Sequence, residues 1–174
     1  LALAPGAWLA WHLLHPAADS PTLRTAIGER RQARLPDGSR IVLDAGTRLS
    51  LHLDARQRTL DLHQGQVLVE TTTDTHMPPR PFAVQTSQGR ITALGTRFNV
   101  RVDTGYTHAA LLEGALAIQA GTGPAWRMVA GEQARFDGHG NHLLEALDDT
   151  VTSWTTGMRV ADAMPLAALL AHLG

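Results

Sequence analysis

The feature that most constrains the fold is a series of short runs in which apolar and polar residues alternate, separated by turns that contain glycine. In the clearest run, Arg-Leu-Ser-Leu-His-Leu-Asp at 48–54, Leu49, Leu51 and Leu53 fall on one face of an extended strand. A period of two residues is typical of half-buried strands, whereas helices repeat every 3.6 residues. The sequence therefore predicts a mainly β domain.

The alternating runs predict a chain of short strands. A Pro-Asp-Gly-Ser turn at 36–39 has the residues that tight turns favour, and Gly65 is predicted to separate two strands. Prolines 78, 79 and 81 exclude a central strand, so 74–80 is predicted as a loop. The predicted strands are 31–35, 40–43, 48–54, 59–62, 66–70, 82–86, 90–94, 96–102, 106–112, 115–120, 126–129, 132–136 and 142–147.

A weak internal repeat bears on how these strands are arranged. Gly65, Gly114 and Gly131 are each followed by an alternating strand. Such recurrence is compatible with two facing antiparallel sheets, as in a sandwich, or with a short solenoid-like coil. The periodicity does not decide between them. We assign this β domain to residues 19–147.

The first 18 residues have a different character, because they are uncharged and strongly apolar. A membrane-spanning helix needs about 20 such residues, so 1–18 is predicted to be the end of a transmembrane helix. A signal-peptide core and a buried soluble helix are the alternatives.

The last residues also differ from the β domain. A connector and a short strand at 158–160 precede a predicted helix at 165–173, in which Pro165 suits the first helical position. Leu166, Leu169 and Leu170 recur at helical spacing. One strand and one helix cannot bury themselves, so 148–174 is interpreted as the start of a truncated α+β subdomain.

The sequence offers little sign of catalytic, metal or cofactor chemistry. It has no cysteine, and its nine histidines include the close pair His139 and His142 but no set of four ligands at regular spacing, so no four-ligand zinc site is predicted. No nucleophile or phosphate-binding motif occurs, and Asp148-Asp149 is interpreted as a turn cap. The net charge of −1 gives no indication of a nucleic-acid partner.

The most specific stretch is Ile-Thr-Ala-Leu-Gly-Thr-Arg-Phe-Asn-Val at 91–100. Gly95 permits a bulge or a close backbone approach, and Phe98 is predicted to be a core anchor, with Val100 and Val102 also inward. Thr96 and Arg97 are predicted to tie down polar backbone there, and Arg97, Asn99 and Arg101 are predicted to face outward. A recognition edge is one interpretation; a core-forming corner is favoured.

Several motifs together resemble the FecR family. They are Leu-Pro-Asp-Gly-Ser at 35–39, Ala-Gly-Thr at 45–47, Arg-Pro-Phe-Ala-Val at 80–84, Ala-Leu-Gly-Thr-Arg-Phe-Asn-Val at 93–100, Leu-Glu-Gly at 112–114 and Ala-Gly-Glu at 130–132. Trp154, Gly157 and Pro165-Leu166 resemble the link into the family's C-terminal subdomain, which is similar to the short N-terminus of secretins and TonB-dependent receptors. The motif residues Pro36, Asp37, Gly38, Gly95, Thr96, Arg97 and Phe98 are interpreted as mainly structural.

The resemblance implies a non-enzymatic signal transducer without a cofactor. FecR-family proteins are anti-sigma factors or regulators of extracytoplasmic-function sigma factors, anchored in the inner membrane by one helix. Their periplasmic region contacts the signalling domain of a TonB-dependent outer-membrane receptor, usually for iron or siderophore uptake. This chain would be the periplasmic segment, with the sigma factor bound by a cytoplasmic region, and Pro165, Leu166, Leu169 and Leu170 would form the partner-binding region.

A second function class remains open from the residues alone. A β-sandwich envelope module that binds carbohydrate or other surface structures would have the same strand pattern. Such a module needs a platform of exposed aromatic rings, and aromatic residues make up 5% of the chain.

Overall fold

A computed structural model of the chain describes residues 21–148 and 150–156, which form thirteen strands and one short 3-10 helix. The prediction of a mainly β domain is confirmed. The strands are β1 (Thr22–Arg24), β2 (Arg31–Arg34), β3 (Arg40–Leu43), β4 (Arg48–Leu53), β5 (Arg58–Glu70), β6 (Phe82–Gln85), β7 (Gly89–Ala93), β8 (Arg97–Asp103), β9 (Tyr106–Glu113), β10 (Ala115–Ala120), β11 (Trp126–Val129), β12 (Glu132–Phe136) and β13 (His142–Ala146), followed by the 3-10 helix Ser153–Thr156.

The N-terminal part of the domain consists of three long antiparallel segments, 22–34, 40–53 and 58–70, which bend at the same level. The third segment is β5, and it pairs with β4 before the bend and with β3 after it. The first segment is interrupted at its bend and pairs through β1 with β4 and through β2 with β3. The bends stack on each other, so that one ridge crosses all three segments.

Gly65 lies at this ridge, and the predicted turn there is wrong. Residues 58–70 form one continuous strand. Its register against β4 shifts between Arg48 and Leu49, so His63 of β5 has no partner and forms a bulge. Gly65 has a φ of +86°, and a Cβ on it would lie 2.6 Å from Thr47 Cα. The absence of a side chain at this position therefore lets the bent β5 lie directly against the turn at 44–47.

Hydrogen bonds centred on Thr47 hold the ridge together. The Thr47 hydroxyl donates to the Gln66 carbonyl at 3.0 Å and accepts from the Gln66 amide at 3.1 Å. The Thr47 amide donates to the Thr25 hydroxyl at 2.9 Å, and the Thr25 amide donates back to the Thr47 carbonyl at 3.0 Å. Thr25 and Thr47 are both buried, so these bonds satisfy polar groups that the bend removes from water.

Beyond β5 the sheet divides into two halves. On its other side β5 pairs with β6 in parallel and with β8 antiparallel. One half continues through β7 and β10 to β11, and the other through β9 and β12 to β13. The prediction of two facing antiparallel sheets, or of a solenoid-like coil, is therefore only partly confirmed: β5 belongs to both halves, the β5–β6 pair is parallel, and the result is one curled mixed sheet.

The hydrophobic core lies inside the curl and draws on both halves. Leu60 and Leu62 face it from one end of β5, and Val67 and Val69 from the other. The two halves meet through side chains of β11 and β12, with the rings of Trp126 and Phe136 5.8 Å apart and edge to face. The other large buried side chains are Ile41, Leu43, Leu49, Phe82, Ile91, Phe98, Leu111, Leu116 and Ile118.

The outer face of the half formed by β8, β9, β12 and β13 is partly covered. Asn99 lies on this face, as predicted, but it is only 2% exposed and accepts a hydrogen bond from Gln66. Val151 and Trp154, which follow β13, line a cavity of about 320 Å³ together with Asn99 and His108. The chain after β13 thus crosses back over the sheet, which the alternating pattern does not reveal.

The two predicted end segments lie outside the described residues: the membrane helix at 1–18, and the strand and helix after residue 157. Within 21–148 and 150–156, no helix is long and apolar enough to cross a membrane.

Candidate functional site

Two motifs that are about 60 residues apart in the sequence meet at the loop between β5 and β6. The Thr72 amide donates to the Ser39 hydroxyl at 3.1 Å, and a Cβ on Gly38 would contact the Thr72 hydroxyl. On the other side, the Thr71 amide donates to the Thr96 carbonyl at 2.9 Å, and the Thr96 amide donates to the Thr71 hydroxyl at 2.9 Å. The start of the loop at 71–81 is therefore clamped between the turn at 36–39 and the stretch at 95–98.

A buried arginine at the start of β5 completes this clamp. The Arg58 side chain is 7% exposed, and its Nη1 donates to Asp37 Oδ2 at 3.2 Å and to the Thr72 carbonyl at 3.0 Å. Its Nε and Nη2 donate to the Arg80 carbonyl at 3.0 and 2.7 Å, and its guanidinium lies 5.6 Å from the centre of the Phe82 ring. Arg58 thus ties together the turn at 36–39 and both ends of the loop.

The loop is also braced from within by Asp74 and Arg80. Asp74 accepts from the Arg80 amide at 2.7 Å, from its Nε at 3.0 Å and from its Nη2 at 2.9 Å. Arg80 also donates to the carbonyl of Asp54. The Arg80 side chain holds the pKa of Asp74 far below its ordinary value, against the opposing effect of burial. Removing one partner of this network would leave the other charged group without its hydrogen bonds.

The predicted irregularity around Gly95 is real but is divided among three residues. Gly95 has a φ of +82°, and nothing lies within 4 Å of a Cβ placed on it. The close backbone approach occurs at Gly114, where a Cβ would overlap the Gly95 carbonyl oxygen. The bulge lies on β9, because the register slips between Arg97 and Phe98 and leaves Leu112 without a partner.

The other motif residues divide between core and surface. Phe98 is fully buried, and its neighbours across the sheet are Val69 and Leu111, which confirms the predicted inward face. Arg97 is paired at the surface with Glu113, 3.7 Å away. The Thr96 hydroxyl is buried without a hydrogen-bond partner among the described residues. The Thr71 side chain, rather than Thr96 or Arg97, therefore ties down the backbone here.

Two surface depressions flank the clamped loop. One, of about 370 Å³, is lined by Pro36, Asp54 and His76 among others. The second, of about 450 Å³, lies between the prolines of the loop and Leu94. Leu94 is 57% exposed, and Met77 near the tip of the loop is 90% exposed. Beside the clamp the apolar side chains of Met77 and Leu94 therefore face solvent.

The remaining candidates from the sequence are paired locally. His52 lies 2.8 Å from Asp61, and His63 lies 2.9 Å from the Ser50 hydroxyl. Asp148 accepts from the amide and hydroxyl of Thr150, which confirms its capping role. The part of the chain that the structure describes contains no group of three or more metal-ligating residues. Pro165, Leu166, Leu169 and Leu170 lie outside that part.

Sequence reasoning missed Arg58, Thr71 and Asp74. Neither Arg58 nor Thr71 belongs to a recognised motif. Both form hydrogen bonds with residues from distant parts of the chain, and Asp74 lies 4.0 Å from Arg58. The one available signal was the cluster of prolines, which marks 74–80 as an ordered loop rather than a strand.

The chain is similar to known proteins over the region that contains these motifs. The FecR protein family matches residues 21–117, more than half of the chain. Among curated proteins none matches. Two crystal structures of "a putative anti-sigma factor" from Parabacteroides distasonis ATCC 8503, at 1.65 and 2.50 Å resolution, resemble this structure with a TM-score of 0.72 and 23% sequence identity. The similarity covers 88% of this chain and 73% and 72% of theirs.

At this identity the crystal structures show a shared fold. The family match includes both motifs that meet at the loop, the turn at 36–39 and the stretch at 95–98. On that match, this chain belongs to the FecR family.

Proposed function

We propose that this chain is the extracytoplasmic segment of a signal-transducing regulator of a sigma factor. Membership of the FecR family carries the proposal, because the family match spans the clamped loop and both motifs around it. The fold shared with a protein described as an anti-sigma factor supports the same function.

In the finer form of this proposal, the protein is anchored in the inner membrane by a single helix that ends in residues 1–18. The described domain stands in the periplasm and receives its signal from the signalling domain of a TonB-dependent receptor for iron or a siderophore. A cytoplasmic region of the same protein controls an extracytoplasmic-function sigma factor. Pro165, Leu166, Leu169 and Leu170 contribute to the receptor-binding region.

The chemistry of the described site suits binding rather than catalysis. Both carboxylates of the clamp, Asp37 and Asp74, accept hydrogen bonds from arginine side chains. Neither carboxylate is placed as a free general base, because an arginine side chain already donates hydrogen bonds to its oxygen atoms. The exposed residues of the site include the apolar Met77 and Leu94 beside the polar Thr75 and His76, a mixture that suits contact with another protein.

The described aromatic rings give the carbohydrate-binding alternative no support. The three phenylalanines are buried. The Arg135 guanidinium lies 3.9 Å from the centre of the Tyr106 ring, and the His142 ring is stacked on Trp126 at 4.1 Å. A flat, exposed ring for stacking against a sugar is therefore not seen in 21–148 and 150–156.

Two experiments test the proposal. A β-lactamase fusion at the C-terminus of the membrane-anchored protein should confer resistance only if this segment is periplasmic; a sensitive strain that contains the intact fusion would refute the location.

Calorimetry with the signalling domain of the receptor encoded nearby should give a micromolar Kd, which corresponds to a binding free energy of about −8 kcal/mol. A Leu169→Glu/Leu170→Glu variant should lose this binding, and Leu143→Glu/Leu144→Glu on β13 is the control. Absence of binding with the intact protein would refute the receptor input.

A further inference from the structure

The free edge formed by β1 and β2 carries an exposed apolar tip. The turn between these strands is closed by the Glu29 amide, which donates to the Ala26 carbonyl at 3.2 Å, and by the Ala26 amide, which donates to Glu29 Oε2 at 2.8 Å. Ile27 stands in this turn and is 98% exposed, more than any other large apolar side chain in the described residues. An isoleucine held out at the apex of an ordered turn has no role in the core.

Arginines lie along this edge and face each other across the strands. Arg24 of β1 lies directly opposite Arg48 of β4, and Arg34 of β2 lies directly opposite Arg40 of β3. All four are exposed. Like charges at directly opposite positions destabilise a sheet. Glu70 lies 3.9 Å from Arg40 and offsets the second pair, so an anion bound at Arg24 and Arg48 would remove the cost that remains.

The acidic residues near this edge neutralise only part of its positive charge. Residues 21–48 contain six arginines and three acidic residues, whereas 49–174 contain nine arginines and twelve acidic residues. Glu29 caps the turn, Asp37 pairs with the buried Arg58, and Asp44 lies 3.4 Å from Arg30. The basic charge around Ile27 is therefore concentrated at one edge of a domain that is otherwise acidic.

We propose that this edge docks on an anionic phospholipid surface, with Ile27 inserted among the lipid chains and Arg24, Arg48 and Arg34 bound to headgroup phosphates. Guanidinium groups bind phosphate oxygens in bidentate geometry, and a basic surface with an apolar tip matches the polar and apolar layers of a bilayer. The edge begins at Thr22, four residues after the predicted membrane segment. The inference rests on the proposed function in this respect, because that anchor would hold the edge beside the membrane.

The docked edge would fix the orientation of the domain. β1 and β2 would lie against the membrane, while β11 and β13, which end the two halves of the sheet beyond β5, would stand away from it. A partner that approaches from the periplasm would then meet the far strands first.

Co-sedimentation of the full chain with lipid vesicles tests the inference. Vesicles of phosphatidylcholine alone measure the background from residues 1–18, and vesicles containing about one third phosphatidylglycerol measure the anionic contribution. The wild type should bind the anionic vesicles more tightly, and the excess should vanish at high salt. Arg24→Gln/Arg48→Gln should lower the excess at least about fivefold, and Ile27→Ser should weaken binding to anionic vesicles while the salt dependence remains.

The matched control is Arg101→Gln/Arg127→Gln, which removes the same charge from strands on the other side of β5. Urea unfolding midpoints equal to that of the wild type verify that each variant is folded. If the control pair lowers anionic binding as much as the edge pair, or if neither pair lowers it, the inference is wrong. The assay contains no receptor or sigma factor. Lipid binding by a segment that the fusion assay places in the cytoplasm would therefore overturn the proposed location and leave the lipid-binding edge intact.

Discussion

Replacing Gly65 with alanine should destabilise the domain more than the same change at Gly95. The two glycines have nearly equal φ angles, +86° and +82°, and a left-handed conformation costs an L-residue about 1–2 kcal/mol. At Gly95 a Cβ meets nothing within 4 Å, whereas at Gly65 it lies 2.6 Å from Thr47 Cα. Because Thr47 is held in the ridge by hydrogen bonds on both sides, it cannot withdraw, and overpacking of this kind adds about 1–3 kcal/mol.

Urea unfolding of the two variants measures this difference. The free energy of unfolding should fall by about 1–2 kcal/mol for Gly95→Ala and by about 2–5 kcal/mol for Gly65→Ala. The dependence on urea concentration should stay the same, because the surface exposed on unfolding does not change. Equal losses in the two variants would refute the argument that the contact between β5 and the turn at 44–47 dictates the bend.

The other predictions concern the core, two titrating groups and the N-terminus. Phe98→Ala should cost about 3–5 kcal/mol in urea unfolding, since the ring is fully buried; near-native stability would mean that the ring is not a core anchor. Asp74 has a lowered pKa, so its stabilising effect is present above the ordinary value of 3.8 and is lost as the pH falls below it. The thermal midpoint of Asp74→Asn should therefore fall less than that of the wild type between pH 6 and 3, and parallel curves would contradict this. Burial, with a smaller effect of Arg101, lowers the pKa of His108 from 6.5, so protonation below that pH favours the unfolded chain. His108→Gln should therefore lose less stability than the wild type between pH 7 and 5, and an equal loss in the two proteins would contradict this. Deletion of residues 1–15 should leave the thermal midpoint within a few degrees, and a cooperative loss of folding would place them in the core.

Much of the strand pattern could be predicted because alternation is a local signal. The inward positions of Leu49 and Phe98 follow directly from it. Gly65 was misread because both a tight turn and a bend within a strand favour a glycine with positive φ. What separates them is the contact with Thr47, which lies 18 residues earlier and comes close only in the folded sheet.

The candidate site was less predictable, for a related reason. The turn at 36–39 and the stretch at 95–98 are recognisable as motifs, but the loop that joins them has no distinctive pattern beyond its prolines. Arg58 shows the limit most clearly, because an arginine between alternating residues is normally exposed. Its burial depends on Asp37 and on two backbone carbonyls, 14 to 22 residues away in the sequence.

The sharing of β5 between both halves has a consequence for cooperativity. Unpairing either half leaves part of one side of β5 unpaired, exposes part of the single core to water and leaves backbone donors and acceptors without partners. The domain should therefore lack a separable subunit of folding, and amide hydrogens along β5 should exchange only by global opening. A structural change at β1 or at β13 would be transmitted to the opposite end of the sheet through β5. The whole domain would therefore respond together.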